Sequence, residues 1–199
     1  MPMRYVMGLW ICLMLSGVLA AQTTDTDDIQ VNAVFKPVID LRVTGGASIN
    51  FLVATLGEYE GGVSSPFDYF SDFDVSSSVN FQVMLSNTPF LDEEGRELDS
   101  RNVGFRIQDN GTYQAGVNHL LLGQPVSPSA LAVMGTPVTL VSATGSGNAG
   151  NRTANAYRLH FELGTPDTRA ISGLTSMLEQ RIAPSTYTSV VTLTASAMP

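Results

Sequence analysis

The chain has 199 residues, ten of them basic and eighteen acidic, with a formal charge of −8. That balance argues against nucleic acid or an anionic membrane surface as a partner, since both need a cationic face. The one cysteine, Cys12, can form no disulfide within the chain, so any fold must be held by its core.

In chain order, residues 1–20 read as a secretory signal peptide: a short basic start ending at Arg4, an apolar stretch from Tyr5 to Leu15, and Val18 and Ala20 before the cut. The apolar run falls short of the roughly 20 residues that span a bilayer. Cys12 lies inside it without the small residues of a lipobox. Cleavage after Ala20 removes Cys12, Trp10 and Arg4. The remaining 9 basic and 18 acidic residues give −9, with Lys36 the single lysine. The expected product is an exported protein with no membrane span and no thiol chemistry.

A flexible acidic tail (21–28) leads into a long alternation. Ile29, Val31, Ala33, Phe35, Pro37, Ile39, Leu41 and Val43 share one parity, and polar residues such as Gln30, Asn32, Lys36, Asp40 and Arg42 fill most of the other. Fifteen residues at about 3.3 Å each would span roughly 50 Å, against about 17 to 20 Å for an ordinary strand. The segment therefore bends or serves two partners. Pro37, which lacks a ladder N–H, marks the break.

Period-two runs recur at Ile49–Val53, Val75–Leu85, Val103–Ile107, Val138–Leu140, Tyr157–Leu163 and Tyr187–Ala195. Turn formers such as Gly45-Gly46, Gly61-Gly62 and Asp109-Asn110-Gly111 separate them. The pattern predicts an all-β, immunoglobulin-like antiparallel sandwich of about seven or eight strands, one domain over 29–199. Short helices are expected only at Ser127–Met134 and Ser172–Ile182.

Motifs for chemistry are absent: there is no metal-ligand spacing, Gly-x-Ser-x-Gly elbow or phosphate-binding loop. His160 falls on the polar parity of its strand and His119 in a loop or turn. No catalytic residue, metal or cofactor is expected. A candidate ligand loop is formed by Phe67, Asp68, Tyr69, Asp72 and Asp74, where aromatics could stack on a sugar and carboxylates could hold calcium. It supports an alternative reading as a monomeric secreted carbohydrate-binding module. Asp92–Asp99 reads as an exposed charged connection. Asn110-Gly-Thr and Asn151-Arg-Thr match glycan acceptor triplets that a bacterial export context leaves unused.

The ends carry a resemblance. Ile29-Gln-Val-Asn-Ala-Val-Phe-Lys-Pro-Val-Ile-Asp-Leu41 resembles the mature N-terminus of the colonisation-factor pilins of the alternate chaperone-usher class, and Ser185-Thr-Tyr-Thr-Ser-Val-Val-Thr-Leu-Thr194 resembles their closing strand. Val83-Met-Leu-Ser-Asn-Thr-Pro-Phe-Leu91 is a looser match to a central strand and turn. Ile49–Val63 is more similar to uncharacterised exported β-sandwich proteins of Bacteroidetes-type bacteria. The pilin resemblance implies that Ile29, Val31, Ala33 and Phe35 are donor-strand residues completing the sandwich of another subunit. It also implies copies of this chain or related subunits, and a periplasmic chaperone, as partners, and a fibre or adhesive layer at the bacterial surface as destination. Pairing of residues 29–35 within their own domain is the competing arrangement.

Overall fold

The structure, a computed structural model, describes residues 32–112, 118–120, 131–143 and 147–198. The expected signal peptide and acidic tail, Ile29, Val31 and residues 127–130 of one expected helix lie outside them. The chain divides into two compact units, 1–35 and 36–199. In the first, Asn32 to Phe35 belong to no strand, and Val34 and Phe35 are 83% and 92% exposed.

The second unit runs through β1 (Ile39–Gly45), α1 (Leu56–Gly61), β2 (Val63–Ser64), β3 (Phe70–Ser77), β4 (Phe81–Asn87), β5 (Phe90–Leu91), β6 (Glu97–Leu98), β7 (Val103–Asp109), β8 (Asn118–Leu120), β9 (Leu131–Val133), β10 (Val138–Ala143), β11 (Ala156–Leu163), α2 (Pro166–Ser172) and β12 (Val191–Ala197). One sheet has the order β1-β3-β11-β7-β9, with β2 also on β11; the second has the order β12-β4-β10-β8. All pairings are antiparallel, and β5 and β6 form a separate small hairpin. Among the described residues, seven strands have six or more residues.

Six of those long strands follow the immunoglobulin-like order. The path β1-β3-β11-β7 reproduces the A-B-E-D sheet, and β4 beside β12 reproduces the C-F pair of the other. Strands β8 to β10 are an insertion between the D and E positions that extends both sheets. The G position, on the free edge of β12, holds no described strand.

Alternation places the core. Phe73 and Val75 of β3, Phe81, Val83 and Leu85 of β4, Phe105 and Ile107 of β7, and Tyr157 and Leu159 of β11 are almost fully buried between the sheets. Phe73 and Tyr157 are register partners with ring centroids 5.2 Å apart; Phe105 and Phe161 pair likewise at 6.5 Å. Each such contact adds to the burial of large apolar area.

Three expectations are corrected. Val75–Leu85 is not one strand: Ser78–Asn80 carries the chain from one sheet to the other, and the Ser77 hydroxyl donates to the Val79 carbonyl at 2.6 Å to fix the turn. Residues 131–133 of the expected helix Ser127–Met134 form strand β9. The helix expected at 172–182 ends where it was to begin. Thr165 caps α2, Pro166 opens it, and Gly173 closes it at φ 71°, a left-handed conformation suited to glycine. A further helix, α1, starts on a capping box in which Thr55 accepts from the Glu58 amide and Glu58 reaches back to the Thr55 amide.

Candidate functional site

Among the described residues no strand fills the G position, and the sandwich is open there. After β1 the chain continues as residues 46–53, with Ile49, Phe51 and Val53 packed against the core and Asn50 and Leu52 turned outward. Among the described residues, no backbone group of 47–53 has a hydrogen-bond partner. Across from it, β12 is paired to β4 on one edge only. Between the two runs a groove of 820 Å³, with Val103, Leu159, Phe161, Leu163 and Met177 in its lining.

Among the described residues, no charged side chain lines this groove. Its 182–193 wall contributes serines, threonines, Tyr187 and aliphatics, and the 46–53 wall contributes Phe51, which stacks on Tyr69 at 4.5 Å between centroids. Such a site offers a small charged ligand nothing to pair with. It offers an extended peptide two kinds of complement: apolar floor for every second side chain, and unpaired main-chain groups along the walls. Tyr187 is positioned by its hydroxyl, which donates to the Ala183 carbonyl at 3.0 Å. The segment is further pinned by the Leu91–Thr188 bridge to the small hairpin.

The five residues of the expected ligand loop do not converge on a site. Phe67 stands 83% exposed, the Asp68 carboxylate accepts from the Ser65 hydroxyl at 2.6 Å, and Tyr69 is packed under Phe51. Asp72 and Asp74 lie on β3, not in a loop, because alternation with the buried Phe73 and Val75 turns both onto the outer sheet face. There Asp72 receives Arg158 in two bonds of 2.6 and 2.7 Å, and Asp74 pairs with Arg152 at 3.0 Å. Arg152 also bonds Asp40, and Arg158 sits 4.2 Å over the Phe70 ring. The carboxylates are occupied by guanidinium groups. Among the described residues no cluster of three or more potential ligands could hold a metal.

In the connection from Asp92 to Asp99, residues 93–97 are exposed as expected, whereas Asp92 and Leu98 are buried. The Asp92 side chain is fully buried and organises the β5–β6 turn, accepting from the amides of Glu94 and Arg96 and from the Arg96 guanidinium at 2.6 Å. Burial pushes its pKa up, but the bonds from Arg96, with Ser185 adding another, outweigh this and hold the carboxyl below its ordinary value. His160 sits on the outer sheet face, 3.1 Å from the Gln108 amide. Burial, then the charge of Arg158, holds the imidazole below its usual pKa. His119 lies in β8.

Sequence reasoning found the alternation of Ile49, Phe51 and Val53 and that of Val191, Leu193 and Ala195. It missed that 47–53 lacks a backbone partner on either side and that β12 has one free edge, since a period-two pattern reports which face is buried and not which neighbours are present. No protein-family model matches the chain, and no curated protein sequence matches it significantly.

Proposed function

We propose that the chain is an exported structural subunit of a bacterial surface fibre or adhesive layer, assembled by strand addition between copies or with related subunits. The observation that supports this reading is the uncharged, apolar-floored groove at the G position, flanked by two unpaired edges. Its wall at residues 186–193, which leads into β12, is eight residues long, about 26 Å at 3.3 Å each. The segment Ile29–Phe35 has seven residues and the complementary pattern, with Ile29, Val31, Ala33 and Phe35 on one parity. The large side chains among these contribute about 1.5 to 3 kcal/mol each when buried. Main-chain pairing to β12 adds specificity of register.

In this reading the protein performs no chemistry, and a periplasmic chaperone would shield the groove before assembly. The test is the size distribution of the chain beginning at Ala21, purified and concentrated. Assembly into polymers, with the V31D/F35D double variant remaining a folded monomer, supports the reading, because two charges buried on the donor face oppose insertion. A wild-type chain that stays monomeric and two-state at all concentrations overturns it.

A further inference from the structure

We propose that strand addition is accompanied by a second, end-to-end contact, in which the α1 pole of one copy, carrying the exposed Leu56 and Leu178, receives the opposite pole of the next copy around Val38. This rests on the strand-exchange reading and adds a distinct surface to it.

The direction of the added strand follows from β12. That strand starts at the pole formed by α1 and the segment after α2, and ends where Ala197 lies opposite Phe81. An antiparallel partner is more stable per residue than a parallel one. It would run the other way, so its last residue, Phe35, arrives at the α1 pole. The groove agrees: its lining extends to Tyr59, Met177 and Ile182 at that pole and stops at Leu41 and Leu193 toward the other.

Only Lys36, Pro37 and Val38 separate Phe35 from Ile39, the first residue of β1. The four Cα–Cα steps from Phe35 to Ile39 reach about 14 Å at most. The donor's own sandwich must then sit directly against the acceptor's α1 pole, with its β1 end foremost.

Both surfaces suit that meeting. At the α1 pole Leu56 is 71% and Leu178 39% exposed. Isolated exposed leucines are ordinary; these two are each fixed relative to Tyr59, which lines the groove, with the exposed Glu60, Glu179 and Arg181 nearby in the chain. The Leu178 amide donates to the Tyr59 carbonyl at 3.1 Å, Leu56 is one turn from Tyr59, and the Arg169 guanidinium donates to the Glu60 carbonyl at 2.7 Å. At the other pole Val38 is 62% exposed yet fixed in place, its amide donating to the Ser78 hydroxyl and its carbonyl accepting from the Ser78 amide, both at 3.0 Å.

The experiment uses the V31D/F35D chain, which cannot donate, as acceptor. It compares binding of a peptide spanning Asp28–Val38 with binding of the intact chain whose own groove has been filled beforehand with peptide. The intact donor should bind at least about tenfold tighter than the peptide. Adding L56D and L178D to the acceptor should erase that advantage while leaving peptide affinity within about twofold and the thermal transition cooperative. V38D in the intact donor should erase it from the other side. Should L56D/L178D unfold the acceptor, L56S/L178S and the donor variant V38D carry the same test. Equal affinity of peptide and intact donor, or an advantage that survives these substitutions, overturns the end-to-end contact and leaves strand exchange standing. Failure of the peptide to bind any acceptor overturns the strand-exchange reading itself, and the contact with it.

Discussion

Replacing Asn148 by alanine should destabilise the domain by about 2 to 5 kcal/mol. The side chain is fully buried, and its two ends act on a single residue: Oδ1 accepts from the Phe81 amide and Nδ2 donates to the Phe81 carbonyl, each at 2.9 Å. Asn148 thus stands in for a neighbouring strand at the corner where β3 hands over to β4. Truncation forfeits two hydrogen bonds with a net contribution of about 0.5 to 1.5 kcal/mol each. It also leaves two buried main-chain groups unsatisfied, at about 1 to 3 kcal/mol each, terms that partly overlap. Equilibrium urea unfolding measures the loss directly, and Tm should fall by roughly 5 to 20 °C for a domain of this size. Asn148→Asp sharpens the test. A buried carboxylate facing the Phe81 carbonyl has its folded-state pKa raised, so that variant should recover stability as pH falls and the carboxyl gains a proton to donate. A loss below about 1 kcal/mol for alanine, or no pH dependence for aspartate, would refute the claim that this side chain closes the corner.

Further outcomes are expected elsewhere. Phe81→Ala, at a site with no solvent exposure, should cost about 3 to 5 kcal/mol in the same unfolding assay. Deleting residues 187–199 removes β12 and one groove wall, so the truncated chain should lose its cooperative thermal transition; a retained transition would mean the sandwich closes without it. Asp92 has a depressed folded-state pKa, so its contribution is present above the unfolded value of about 3.9 and is lost as pH falls through the folded value. Asp92→Asn should therefore flatten the acid limb of a stability–pH profile measured from pH 6 to pH 2, and should loosen the Ser185 end of the groove wall.

The all-β sandwich was legible in the sequence because most of its core strands obey alternation: Phe73 and Val75, Phe105 and Ile107, and Tyr157 through Leu163 all face inward on one parity, while β10 breaks it by burying both Leu140 and Val141. The break at Ser78–Asn80 was hidden by the same rule. Val75 and Phe81 keep a common parity across the turn, so two strands in different sheets read as one. Both helices were signposted by local chemistry that periodicity does not register, Thr55-x-x-Glu58 for α1 and Thr165-Pro166 with Gly173 for α2. The candidate groove was only half legible. Donor-like alternation in Ile29–Phe35 is a sequence property, whereas a vacant strand position is a relation among segments more than a hundred residues apart. Asp72 and Asp74 failed as ligand residues for a similar reason, because their partners Arg158 and Arg152 are brought to them by β11 and the loop before it.

Amide hydrogen exchange across residues 47–53 and 191–197 tests the central claim most directly, compared between the assembled wild-type chain and the V31D/F35D monomer. Strand addition predicts that the amides of 47–53 and of the free edge of β12 exchange rapidly in the monomer. They should become strongly protected in the assembly and on adding the peptide Asp28–Phe35 to the monomer. Unchanged exchange in both segments, with the full-length chain monomeric and indifferent to the peptide, would contradict it.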